Sequence, residues 1–223
     1  MLTHPSSGER PRERLIRHGA GVLTDPELLA VVLRTGQPGC DAVQLGRVLL
    51  ERFGSLRGLF GASPDDLIAT HGIGQAKGCQ LLAVLELARR TLEEDLVRPD
   101  AFDHPQRVKD YCMTILGHRS VEHCIALYLD MQLRLIACRE LARGTLGQAC
   151  VYPREVVRDA LSHHAGALII AHNHPSGAAQ ASQADRAFTR HLRDALALVD
   201  IRLVDHLIVA SGQAISMAEL GQI

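Results

Sequence analysis

The stretch Ala167-Leu168-Ile169-Ile170-Ala171-His172-Asn173-His174-Pro175-Ser176-Gly177, followed by Ser182-Gln183-Ala184-Asp185, decides how this 223-residue chain reads. Ala167 to Ala171 is a short apolar run with turn residues beyond it, the pattern of a buried strand. In an extended chain residues i and i+2 share a face, so the imidazoles of His172 and His174 point the same way. Pro175 and Gly177 turn the chain, and Ser182 opens a helix carrying Asp185 in its first turn. That turn brings a carboxylate back over the two imidazoles. Two His and one carboxylate are a metal-ligand set that leaves a fourth zinc position open for water, the catalytic rather than the structural arrangement. The simpler reading is a chance His-x-His beside a Ser-x-x-Asp capping box. The two readings are compatible, since Ser182 can cap the helix that presents Asp185.

Working outward, the residues around this stretch alternate strand and helix, which predicts an α/β domain. A helix is expected from His104 to Leu116. Strands are expected over His123 to Leu129 and Gln132 to Cys138, joined by a tight hairpin at Asp130-Met131, with Glu140 to Thr145 continuing extended. Tyr152 to His164 and Ser182 to Val199 read as helices, and Leu203 to Val209 and Ala214 to Met217 as closing strands. Residues before about 98 read as helix throughout. They give a short basic helix from Arg12 to His18, a helix opened by Thr24-Asp25-Pro26 with Leu28, Leu29, Val32 and Leu33 on one face, and another over Asp41 to Phe53. In this last helix Val43, Leu45, Val48, Leu49 and Phe53 are expected inward. Val97 to His104 reads as a linker, giving domains 1–98 and 99–223. No internal repeat or low-complexity segment interrupts either.

Composition narrows the function. Lys and Arg number 24 against 25 Asp and Glu, for a net charge of -1, and the halves are equally balanced, with 12 basic and 12 acidic residues in 1–99 and 12 and 13 in 100–223. That argues against a protein built chiefly to grip nucleic acid or acidic membranes by charge. No apolar run approaches the ~20 residues of a membrane span, and the N-terminus lacks the pattern of a secretory signal. The six cysteines form no CxxC pair. These features predict a reduced, cytoplasmic protein.

The pattern His172-x-His174-Pro175-x6-Ser182-x-x-Asp185 resembles the JAMM motif of the MPN-domain metallopeptidases, which include deubiquitinating isopeptidases. Several stretches, Glu140 to Thr145, Val151 to Val157, Ala171 to Gly177 and Asp205 to Ile208, resemble the bacterial RadC (UPF0758-type) family. So do Arg10 to Glu13, Asp25 to Leu29 and Arg34 to Gly36. The resemblance therefore covers nearly the whole chain. It implies an MPN/JAMM-type α/β domain after a small all-α domain, and one Zn²⁺ per chain held by His172, His174 and Asp185. It further implies Glu140 as general base and Ser182 as donor to the oxyanion of a tetrahedral intermediate. The implied function is zinc-dependent hydrolysis of a peptide or isopeptide bond in an unspecified peptide or protein. The chain departs from the family at Ala178 to Ala181, where an acidic residue and Pro are usual, and at Ala142, where a bulky apolar residue is expected.

Other features keep alternatives open. Gly72-Ile73-Gly74 with Lys77 resembles the hairpin of a helix-hairpin-helix unit, whose backbone N–H groups hold DNA phosphate. A tight interhelical turn is the reading favoured by the neutral surroundings. A DNA-associated repair or recombination accessory protein with a structural or vestigial metal is the alternative function. A metal-dependent nuclease is a third, disfavoured by the single-metal ligand set. Glu140 paired with Arg139 or Arg143 on an exposed strand, His206 as a satisfied core histidine or a support for the site, His163-His164 at a helix C-terminus, and His118 and His123 facing water complete the expectations.

Overall fold

The computed structural model describes residues 9–97, 105–144, 151–210 and 212–223. It divides into two compact units, 1–87 and 88–223. No helix among the described residues is long and apolar enough to cross a membrane.

The first unit is helical: α1 (Pro11–His18), α2 (Asp25–Leu33), α3 (Ala42–Phe53), α4 (Leu56–Gly61), α5 (Pro64–Ile68) and the first part of α6 (Gly74–Val97). The sequence starts these helices with side chains that satisfy orphan backbone donors. Asp41 Oδ1 accepts from Gln44 N at 2.8 Å, Ser55 Oγ from Gly58 N at 3.0 Å, and Ser63 Oγ from Asp66 N at 3.0 Å. Glu27 reaches back to accept from Thr24 N at 2.9 Å. Pro11, Pro26 and Pro64 lie in first turns, where a missing N–H costs nothing. Leu29, Leu33, Leu45, Leu49, Leu59, Leu67, Ile73 and Leu81 form the core. Val48, expected inward, is 44% exposed. The buried stripe of α3 runs through Leu45, Gly46 and Leu49 because α2 approaches so closely that a Cβ on Gly46 would lie 2.6 Å from Pro26 O. Helix α4 has no counterpart in the sequence pattern; it is a six-residue helix with one buried anchor, Leu59.

The Gly72–Lys77 hairpin is a packed interhelical turn. Lys77 Nζ donates to Gly36 O at 2.8 Å and to Gly72 O at 2.9 Å, stapling the hairpin to the Gln37–Cys40 turn. Gly72 sits at φ 85°, where a side chain is strained, and a Cβ there would also displace the end of the Gln37 side chain, 2.4 Å away at Oε1. Lys77→Met is expected to destabilise this unit by about 1–2 kcal/mol, the charge-assisted hydrogen bonds lost being partly offset by water. With no tryptophan in the chain, urea unfolding followed by far-UV circular dichroism reads the change. An unchanged midpoint would show that the lysine is not a structural staple.

Helix α6 continues past the unit boundary, and Leu92 and Leu96 pack into the C-terminal core. The compact units meet at 87/88, and the boundary expected at 98/99 lies outside the described residues. Most of the expected linker, 98–104, lies outside the described residues.

The second unit continues with α7 (Pro105–Leu116), β1 (His123–Leu129), β2 (Leu135–Arg143), α8 (Pro153–Ser162), β3 (Ala167–Asn173), α9 (Gln183–Ala197), β4 (Arg202–Ala210) and β5 (Gln213–Ser216). The sheet order is β2-β1-β3-β4-β5. β3 and β4 are parallel, joined through α9, and the other neighbours are antiparallel. Alternate strand residues serve two core layers. Ile125, Leu127, Ile169, Ala171 and Leu207 face α7 and the end of α6. Cys124, Ala126, Leu168 and Ile170 face α8 and α9. β3 is buried along its whole length, which explains its continuous apolar run.

The expected two-residue hairpin is a five-residue turn. Leu129 pairs with Leu135, and the Asp130 carboxylate accepts from Gln132 N at 2.9 Å and Arg134 N at 2.8 Å, with Leu133 at φ 61°. Strand β2 accordingly starts at Leu135 and runs to Arg143, with two bulge-like register shifts against β1 that skip Ile136 and Leu141. The expected end at Thr145 falls outside the described residues. At the far end of α8, His163 stacks on Tyr128 with centroids 4.9 Å apart.

Candidate metal centre

β3 ends at Asn173, and the ladder carries on one residue further: His174 N donates to Val209 O at 2.9 Å. The chain then turns through Pro175 and Gly177, the glycine at φ 82°, and Arg186 Nη1 holds Ala181 O at 2.6 Å just before α9. Ser182 caps α9. Its Oγ accepts from Asp185 N at 3.1 Å, and its N–H donates to Asp185 Oδ2 at 2.7 Å. The cap uses the hydroxyl oxygen as acceptor and leaves its proton to donate.

These elements bring His172, His174 and Asp185 together, the one such trio among the described residues, with ligand atoms all within 4.8 Å of one another. His172 Nε2 is 2.8 Å from His174 Nε2 and 3.3 Å from Asp185 Oδ1, and His174 Nε2 is 3.5 Å from Asp185 Oδ2. Ligands of a tetrahedral zinc ion at about 2.1 Å lie about 3.4 Å from each other. The spacing fits one small cation.

Proton positions follow from the partners. Thr189 Oγ1 donates to Asp185 O at 2.6 Å, since a carbonyl only accepts. Its single proton spent, Thr189 accepts from His206 Nδ1 at 2.6 Å. A neutral His206 then offers Nε2 as acceptor to His172 Nδ1 at 2.8 Å. His174 Nδ1 faces Ala178 O at 2.8 Å and donates to it. Both Nε2 lone pairs are thus left bare, facing each other and a carboxylate. Three electron-rich atoms at these distances repel unless a cation lies between them. Burial, opposed by Asp185, lowers the His172 pKa to about 4, and burial with His172 beside it takes His206 to about 3. Both rings are neutral at pH 7. Burial pushes the Asp185 carboxyl up, but His172 and the Ser182 hydrogen bonds outweigh it and hold the group below the usual range. Cys124, across the strand pair from His172, has its thiol pushed up to about 12 by burial and by Asp185, so it offers no thiolate.

Comparison with known proteins decides the kinship. Residues 102–222 match the family described as RadC-like JAB domain, and residues 2–79 match UPF0758 N-terminal. A UPF0758 protein of Bordetella parapertussis is 66% identical over 213 residues, covering 96% of this chain and 95% of the relative. One from Bordetella bronchiseptica is 65% identical over the same coverage, and one from Herminiimonas arsenicoxydans 52% identical over 96% of each chain. The chain belongs to the RadC-like UPF0758 family. Its C-terminal unit is accordingly a JAB domain of the MPN/JAMM type.

In this RadC-like chain Glu140 is not part of the His172, His174 and Asp185 cluster. Its register partner is Ile125, which pairs in turn with Ala171, so strand alternation puts Glu140 on the α7 side of the sheet. His172 pairs with Cys124 and belongs to the α9 side. Glu140 Oε2 lies instead 2.9 Å from His123 Nδ1, so Glu140 pairs with a histidine rather than with Arg139 or Arg143. His123, expected to face water, is 4% exposed. His118 is half-buried with Nδ1 3.1 Å from Thr114 O.

Extended two residues past the Cys124–His172 pair, just beyond the ends of β1 and β3, the antiparallel register would set Glu122 against His174, on the face of the trio. On the β2 side Gly144 N donates to Glu122 O at 2.9 Å, and on the β3 side the Asn173 side chain, through Oδ1, accepts from His123 N at 2.8 Å. The Asn173 amide also donates to Val121 O at 3.0 Å, tying the segment before β1 to β3. No local motif marked Glu122 in the sequence. Counting back by twos from Cys124 would have found it once the pairing was known.

His206 and Thr189 support the site. His206→Leu removes the acceptor that fixes the His172 tautomer and is expected to weaken zinc binding about 10–100-fold. Competition with a chromophoric chelator measures it, and an unchanged affinity would detach His206 from the site.

Proposed function

We propose that the JAB domain of this protein is a zinc-dependent hydrolase of peptide or isopeptide bonds. The observation that carries the reading is the trio of His172, His174 and Asp185, whose bare ligand atoms converge at distances fitting one zinc ion. Zinc in such a site supplies a water acidified to a pKa of about 7.

The chain's own residues divide the remaining work. Glu122 is the base that takes the water proton, supported by its register opposite His174 on the ligand face. Glu140, implied by the family resemblance, is the competing assignment. Ser182 donates its hydroxyl proton to the oxyanion that forms on the scissile carbonyl. The backbone turn at Pro175–Gly177 and the Arg186–Ala181 contact hold the loop that borders the ligands. The uncharged Ala178-Ala179-Gln180-Ala181 segment contributes a carbonyl, Ala178 O, that orients His174, so the departure from the family leaves the ligand set intact.

The test is a screen of peptide and isopeptide substrates with zinc-loaded protein. Cleavage abolished by chelation and restored by zinc is the expected result. A fully loaded protein inert to both classes would overturn the hydrolase reading while leaving the metal site standing.

A further inference from the structure

The helical unit holds a second candidate site. A cavity of about 740 Å³ lies between the start of α1, the end of α2 and the start of α3, with Arg10, Arg12 and Arg34 on its walls and Val31 and Val43 among its apolar lining. That volume is in the range of small-molecule sites. No carboxylate among the described residues pairs with the side chain of Arg10, Arg12 or Arg34, whereas the neighbouring Arg14 and Arg17 are paired with Glu27 and Glu9. The one acidic residue among the described lining, Asp41, is committed to capping α3 through Gln44 N.

Arg34 holds its place at a cost. It sits at φ 66°, ψ -40° as the C-cap of α2, a conformation sparsely populated by residues with a side chain. Glycine would relieve that strain, and the chain instead keeps a guanidinium there. Three unpaired guanidinium groups around an apolar surface make an anion site with room for a ring. Planar forks suit phosphate oxygens bidentately, and they stack on aromatic faces.

We propose that this cavity binds the phosphate of a nucleotide, either free or as a unit of a single-stranded nucleic acid. The site is separate from the Gly72–Lys77 hairpin, whose lysine is committed to backbone carbonyls. It is also compatible with the neutral charge of the unit, because only these arginines are left uncompensated around it. Binding is expected to be salt-dependent and modest in slope, with about one counterion released per phosphate contacted.

The test uses the full chain, a fluorescent single-stranded 12-mer and a fluorescent nucleoside triphosphate, each titrated at low and moderate salt. The double variant Arg12→Gln/Arg34→Gly keeps the fold, since position 12 is exposed and glycine suits position 34; an unchanged circular dichroism melt checks this. It is expected to lose at least tenfold in affinity and to flatten the salt slope. Arg158→Gln, on α8 of the other unit, is expected to change neither. Binding of the 12-mer with weak triphosphate binding would assign the site to a strand, and the reverse to a free nucleotide. No binding of either probe at low salt, or equal binding by wild type and the double variant, would overturn the proposal.

Discussion

Replacing His172 and His174 together by alanine is expected to take the purified protein from about one equivalent of zinc per chain to a small fraction of that, because two of three protein ligands are lost. Mass spectrometry of the desalted protein gives the metal content directly. The effect is large because the three ligand atoms are already in place: the Thr189–His206–His172 chain and the Ala178 carbonyl fix both tautomers with Nε2 bare. Little ordering remains for an ion to impose. His172 is buried and its removal leaves a void, so His174→Ala alone, at a half-buried position, is the companion variant. It is expected to fold as wild type and still lose most of the metal. In the wild type, zinc in excess over its dissociation constant by about a hundredfold stabilises by about 2.7 kcal/mol, read as a raised melting temperature of the C-terminal unit. Full metal retention by the double variant would place the ion elsewhere.

Glu122→Gln is expected to lower kcat by about 10²–10⁴-fold on whichever peptide or isopeptide the screen identifies, the loss expected for removing a general base. Glutamine keeps the size and hydrogen-bonding capacity of the side chain and removes its basicity, so zinc content is expected to stay unchanged. Glu140→Gln serves as the paired measurement and is expected to act within a few-fold of wild type, since Glu140 faces the α7 side and contacts His123. The opposite outcome, with Glu140→Gln inactive and Glu122→Gln active, would return the base to the position that family resemblance implies.

Much of the site is legible in the sequence because its signals are local. His172 and His174 are two apart at a strand end, and Ser182 and Asp185 are three apart at a helix start. Each spacing has a fixed geometric meaning before any tertiary contact is known. The turn at Pro175 and Gly177 reads as a reversal for the same reason. The helix starts at Thr24 and Asp41 and the buried run of β3 are local as well. The two-residue hairpin expected between β1 and β2 gives way to a five-residue turn because Asp130 caps it, which leaves the apolar pattern on either side unaltered. Val48 turns outward instead of inward because the close approach of α2 at Gly46 fixes which stripe of α3 is buried.

Local pattern alone was enough for the helical first unit, the α/β second unit and the resemblance to the family, and it singled out His172, His174 and Asp185, which the fold clusters. The tertiary structure alone decided which face of the sheet each distant residue joins. Strand register pairs Cys124 with His172 and Ile125 with Glu140, which sets Glu140 on the α7 face, and the proposed role of Glu122 extends the same register past the start of β1. It likewise buried His123, recruited His206 and Thr189 behind His172, and stapled Lys77 to two carbonyls. The physical reason is that a side chain's face alternates with every residue along a strand. A one-residue difference in pairing between segments far apart in the chain therefore moves a carboxylate across the sheet, and no local pattern records that pairing.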